Sequence, residues 1–160
     1  MLAIVIQGMA QAQKNVIADF DMQTGTVSHI HDGDTFRLNQ PDGSFIRVRL
    51  ANIDAPEVQP PQPYGKQAQR YLDSAIDKQT VQIKVINRDQ YGRTVALLYH
   101  NGQQINRLLV ANGYAWHYLK YSTDTTLTGL EKQAREKHLG LWHDPNPIEP
   151  WQFRKEKRGK

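Results

Sequence analysis

A chain of 160 residues, 39% hydrophobic and 22% charged, is one ordinary domain with enough apolar material for a core, which excludes a disordered protein. No apolar run approaches the roughly 20 residues that a transmembrane helix needs, so no membrane partner is expected. Cysteine is absent, which excludes a disulfide framework, a thiolate metal site and a cysteine nucleophile. The formal net charge is +4, but residues 154–160 hold five basic side chains against Glu156 alone, and the rest of the chain balances at 15 basic and 15 acidic. Residues 151–160 therefore read as a solvated basic tail, and any argument for nucleic acid must rest on where the charges stand.

In chain order, residues 1–12 carry no charge and hold the apolar stretch 2–6, followed by Ala10-Gln11-Ala12, a small-x-small pattern of the kind that precedes signal cleavage. They read as the remnant of a signal peptide ahead of a single domain over 13–150. Residues 24–30 and 35–38 are expected as strands around the turn His31-Asp32-Gly33-Asp34. The turn Pro41-Asp42-Gly43 leads into a strand over 44–50, where Ile46, Val48 and Leu50 alternate with Arg47 and Arg49. One face of that strand is apolar and the other carries two guanidiniums.

A Pro-rich loop over 52–63 precedes a helix over 65–78, with Ala68, Leu72, Ala75 and Ile76 on one face. Strands follow at 81–85 and 93–99, joined by the turn Asp89-Gln90-Tyr91-Gly92. Helices over 105–112 and 128–138 close at Gly113 and Gly140, the second with Thr128 and Glu131 spaced as a capping box. Five strands and three helices, one of them between the third and fourth strands, suggest an α+β fold built on a small OB-type barrel.

Three short segments carry chemistry. Asp32-Gly33-Asp34-Thr35 sets two carboxylates in a tight turn, suited to a hard cation that wants oxygen ligands. In Arg49-Leu50-Ala51-Asn52-Ile53-Asp54-Ala55-Pro56-Glu57 a strand arginine enters a loop with two more carboxylates, stiffened by Pro56. Asp89-Gln90-Tyr91-Gly92-Arg93 delivers a second arginine at a strand start. Each alone suits an ordinary turn or surface loop. Joined, they suit phosphoryl transfer: two guanidiniums for the non-bridging oxygens, a divalent cation on Asp34 and Asp54, and Glu57 to orient or deprotonate a water.

In this order and at about this spacing, the three segments resemble those of the staphylococcal-nuclease (thermonuclease) family, as does the closing Gly140-Leu141-Trp142. The resemblance implies a five-stranded OB-type barrel with three helices, Ca2+ as cofactor, and sequence-non-specific cleavage of DNA and RNA. It implies that Asp34 and Asp54 bind the ion directly, that Ala55 adds its backbone carbonyl, and that Asp32 acts on the ion through water. Glu57 is then general base or water positioner, and Arg49 and Arg93 bind phosphate. Tyr91 and Tyr121 match tyrosines near the substrate, whereas Gln90 and Leu119 depart from the family's lysine and tyrosine.

Tyr114, Trp116, Tyr118 and Tyr121 are aromatics that can stack on bases, with core packing preferred for Trp116. The six histidines form no ligand set: His29 and His31 share a strand face without a third partner, so all six read as structural or solvated. Two other functions compete. A non-catalytic OB-type module binding nucleic acid or protein would lack several of these carboxylates and arginines, and a structural calcium-binding domain would leave Arg49 and Arg93 without a purpose. The nuclease reading implies DNA and RNA as partners, no obligate protein partner, and a secreted or periplasmic location.

Overall fold

Strands with one apolar face can bury it by curling their sheet until its edges meet. The computed structural model, which describes residues 22–159, shows that solution; the leader read over 1–12 lies outside the described residues. Strands β1 (Met22–Ile30), β2 (Thr35–Asn39) and β3 (Phe45–Leu50) form an antiparallel meander, and β5 (Thr80–Arg88) and β6 (Thr94–His100) extend it from β1. A parallel pairing of β3 with β6 closes the barrel, with Val48 beside Thr94 and Leu50 beside Ala96. Register shifts between Val27 and His29 in β1 and between Val85 and Asn87 in β5 bend the two longest strands, as closure requires.

Between β3 and β5 run the two-residue strand β4 (Ile53–Asp54) and the helix α1 (Gly65–Ile76). After β6 come β7 (Gln103–Gln104), α2 (Ile105–Ala111), β8 (Trp116–His117), α3 (Thr125–Glu136), a 3-10 turn (Gly140–His143) and α4 (Pro150–Arg158). The alternation in β3 appears as Val48 and Leu50 buried while Arg47 and Arg49 face outward. Ala68, Leu72 and Ile76 of α1 join Val27, Leu38 and Leu98 in one core. A second, smaller cluster packs Trp116 against Trp142 edge-on, with the Arg135 guanidinium 3.9 Å from the Trp142 ring centre.

The five-stranded barrel matches expectation; the helix count does not. Among the described residues there are four α-helices, and the fourth occupies residues read as a solvated tail. Pro150 starts it, where a missing N–H costs nothing, and Phe153 is buried. The capping box at Thr128 is also corrected. Helix α3 begins three residues earlier, capped by Asp124, whose side chain accepts the Thr126 N–H at 2.8 Å. Glu131, its supposed partner, instead accepts the His117 N–H and pairs with Arg135.

One buried side chain ties the barrel to the loop that follows β3. Asn106 donates to the Ala51 carbonyl at 2.9 Å and accepts the Leu98 N–H at 2.9 Å while wholly buried. Asn106→Ala should cost about 1–3 kcal/mol, because it strands main-chain groups that have no access to water. Urea unfolding measures it, and an unchanged midpoint contradicts the role.

Candidate active site

The Asp32–Asp34 turn is held against the barrel by its own backbone: the Leu50 N–H donates to the Asp34 carbonyl at 2.8 Å, and the Asp34 N–H to Oδ1 of Asp32 at 3.1 Å. Glycine is required between the two acids, because a Cβ at Gly33 would lie 2.6 Å from that of Ala68 and 2.9 Å from that of Ala55. The turn thereby presses against both α1 and the loop after β4. Asp54 is fixed separately, in the short ladder of β4 and β8, opposite Trp116. The sharp reversal from β3 into β4 uses Asn52 in the left-handed region at φ 68°.

These elements converge on Arg49. Its Nη1 lies 3.0 Å from Oδ2 of Asp34 and its Nη2 2.8 Å from Oδ1 of Asp54, while Nη1 also donates to the Leu50 and Ile53 carbonyls. Asp34 accepts the Ala55 N–H at 2.6 Å and the Thr35 hydroxyl at 3.2 Å. Burial pulls the Arg49 guanidinium down, but the charges of Asp34, Asp54 and Asp32 outweigh it and hold the group above its ordinary value. Burial, and after it the negative charge of Asp34, pushes the Asp32 carboxyl up to about 8. Asp54 is likewise raised by burial, against the opposing pull of Arg154 and Arg49.

Asp32, Asp34, Arg49, Asp54 and Ala55 are thus brought together in one cluster. Glu57 belongs with them through a residue that sequence reasoning missed. Arg154, in α4, donates from Nη2 to Oδ2 of Asp54 at 2.7 Å, and from Nη1 to Oδ1 of Asp54 at 3.0 Å and to Oε1 of Glu57 at 2.6 Å. The local signals around it, a proline before Trp151 and a buried Phe153, announce a helix start but not its destination.

Arg93 stands apart from that cluster. Its Nε pairs with Oδ2 of Asp89 at 2.7 Å, and the same carboxylate accepts the Arg93 and Tyr91 backbone N–H groups. Burial opposes these bonds, yet they hold the Asp89 carboxyl below its usual range. The β3–β6 register sets Arg49 beside Val95, so Arg93, two residues earlier, faces outward on the same side of the barrel as Arg49. Tyr91 and Tyr121 are both more than half exposed. Tyr118, by contrast, stacks on Trp151 with ring centres 5.0 Å apart, and Trp116 is core. His117 is buried between the Thr128 and Ser122 hydroxyls, a structural role.

The donor set fits a hard divalent cation: the carboxylate oxygens of buried Asp34 and Asp54, and no thiol. Among the described residues no three His, Cys, Asp or Glu side chains form a ready cage. An ion here would rest on Asp34 and Asp54, with main-chain oxygen and water completing its shell.

A barrel closed by a parallel β3–β6 pair, with carboxylates and an arginine at the end of β3, is of the OB type and carries a site whose charges suit phosphate chemistry. Residues 47–144 match the family model described as staphylococcal nuclease homologue. The chain is 41% identical over 149 residues to a micrococcal nuclease of Shigella flexneri, covering 86% of this chain and 82% of that protein. It is 37% identical over 138 residues to an uncharacterized endonuclease of Haemophilus influenzae, covering 86% and 76%. A staphylococcal-like nuclease of Arabidopsis thaliana is 33% identical over 158 residues, and this chain spans about half (48%) of that protein's length. The chain belongs to the staphylococcal nuclease family, and the class of activity that follows is phosphodiester hydrolysis in nucleic acid. Arg154 lies beyond the stretch matched to the family model.

Asp32 carries a prediction. Folded, its carboxyl keeps its proton up to about 8; unfolded, it loses it near 3.8. Without divalent cation, folding therefore retains a proton between those values, and this group makes stability fall as pH rises across them. Asp32→Asn should flatten that slope. Denaturant midpoints in chelator at about pH 5 and about pH 9 measure it, and an identical slope in both proteins contradicts the assignment.

Proposed function

We propose that the chain is a calcium-dependent nuclease that hydrolyses DNA and RNA without reading their sequence. The observation that carries this reading is Arg49 bridging Asp34 and Asp54 at 3.0 and 2.8 Å, beside Glu57 and on the same outer face as Arg93. Asp34 and Asp54 would hold Ca2+, with the Ala55 carbonyl directly and Asp32 through water. Bound there, the ion supplies positive charge to a non-bridging oxygen of the phosphate.

The chain's own groups do the rest. Glu57 takes a proton from the attacking water, whose oxygen bonds to phosphorus as the ester P–O bond breaks and the leaving oxygen takes up a proton. Arg49 and Arg93 donate to the non-bridging oxygens on which charge accumulates. Among the described residues the Arg49 Nε–H makes no protein hydrogen bond, which leaves that donor for a phosphate oxygen while both Nη groups hold the carboxylates and carbonyls. Exposed Tyr91 and Tyr121 offer sequence-tolerant stacking for bases.

Cleavage of plasmid DNA and of RNA should stop in chelator and return with Ca2+. Mg2+ should serve poorly, since it demands tighter octahedral geometry and sheds water reluctantly. Full activity in chelator overturns the cofactor.

The roles also separate by mutation. Arg93→Ala, which touches none of the cation's carboxylates, should lower turnover by roughly 10²–10³ and leave calcium affinity unchanged. Asp54→Asn should weaken calcium binding, having removed a formal charge from the ion. Calorimetry beside single-turnover cleavage distinguishes them, and a fully active Arg93→Ala protein would show that the phosphate site is misplaced.

A further inference from the structure

Residues 151–160 look like a solvated basic tail, yet α4 is anchored by Phe153, which is buried, and by Trp151, whose ring stacks on Tyr118 at 5.0 Å and meets Trp116 edge-on at 5.8 Å. The next side chain after Phe153 is Arg154. Its guanidinium reaches Asp54, 100 residues away in sequence, through both carboxylate oxygens, and Glu57 through one. The segment just before α4 makes a second link to the same loop. Gln62, itself buried, accepts the Glu57 N–H at 3.0 Å and donates to the Ile148 carbonyl at 2.8 Å. The C-terminal segment is thus joined to Glu57 twice, once through its backbone and once through its side chain.

The consequence follows from counting the lone pairs of Asp54. Its Oδ1 already accepts from Arg49 and Arg154, and its Oδ2 accepts from Arg154. One lone pair of Oδ2 stays free, but a cation on it would lie against the Arg154 guanidinium, whose Nη2 is 2.7 Å from that oxygen, so the two positive charges compete for Asp54. Arg49 is the less movable of the two arginines, held by Asp34 and two main-chain carbonyls as well. Arg154 is held at this end by carboxylates alone, and its side chain is the more exposed, 29% against 12%. Glu57 then keeps it near the site.

We propose that Arg154 is a positioning residue: it clamps Asp54 to Glu57 in the cation-free site, yields Asp54 to the cation, and retains Glu57 in the orientation that meets the water. The inference rests on the calcium reading of Asp34 and Asp54. It makes α4 part of the active site and sets the protein's calcium affinity below what its carboxylates alone would give.

The test is calorimetric titration with Ca2+ of the full-length parent, Arg154→Gln, Arg154→Lys and Phe153→Ala, beside single-turnover cleavage of one oligonucleotide at saturating Ca2+. Arg154→Gln should bind Ca2+ at least about tenfold more tightly, since a competing unit charge in contact with the ligand is gone. Arg154→Lys, which keeps the charge, should stay nearer the parent. Phe153→Ala should loosen α4 with Arg154 intact and give a gain of the same sign, which covers the case of an Arg154→Gln protein that does not fold. Damage to the fold weakens ion binding, so a gain cannot arise from it. With Ca2+ saturating, Arg154→Gln should turn over more slowly at unchanged KM, because Glu57 has lost the guanidinium that holds its Oε1.

A parent that takes up no Ca2+ overturns the calcium reading and the clamp together. A parent that binds Ca2+, with Arg154→Gln binding equally or more weakly, overturns the clamp alone. Unchanged turnover in Arg154→Gln overturns the role at Glu57.

Discussion

Taking a carboxylate out of water costs several kcal/mol unless an opposite charge and hydrogen bonds receive it, and here Asp34 and Asp54 are both buried within reach of one guanidinium. That pairing constrains everything around it. Arg49 must sit at the outward-facing end of β3, Asp34 in the turn before β2, and Asp54 in the strand that follows β3's reversal. The barrel delivers all three because β2 and β3 are register partners: Thr35, next to Asp34, lies opposite Arg49. Removing the arginine would leave Asp34 buried without a charge partner and Asp54 with Arg154 alone; removing either acid would leave Arg49 half satisfied.

The pairing is also incomplete by design of its charges. Four carboxyl groups (Asp32, Asp34, Asp54 and Glu57) meet two arginines, Arg49 and Arg154, and burial, with the negative charge of Asp34 after it, keeps the proton on Asp32 up to about 8. A site with that imbalance favours a cation. Arg93 is kept out of it by Asp89, on the same outer face, where it remains available to an anion that the carboxylate cluster would repel. One surface therefore offers a cation-seeking cluster beside an anion-seeking arginine, the combination that a phosphodiester bridging a metal ion requires.

Much of this was legible in the sequence because its signals are local. The alternation of Ile46, Val48 and Leu50 with Arg47 and Arg49 identifies a strand with a charged outer face, and the Asp-Gly-Asp turn identifies a tight reversal. The Thr128–Glu131 spacing misled because a stronger acceptor, Asp124, stands one turn earlier and starts the helix first, freeing Glu131 for Arg135 and the His117 N–H. Arg154 was illegible for a different reason. In a run with Lys155, Lys157 and Arg158 it is indistinguishable by type, and its meaning depends on a contact 100 residues back that no periodicity encodes.

The central claim is that the Asp34–Arg49–Asp54 cluster is where a cation and a phosphodiester meet. A crystal structure of the protein with Ca2+ and a short oligonucleotide tests it most directly. The account predicts Ca2+ on Asp34 and Asp54, a phosphate between Arg49 and Arg93, and Arg154 released from Asp54. A phosphate bound on the basic outer face of α4, with no ion at Asp34 and both guanidiniums still on Asp54, would contradict it.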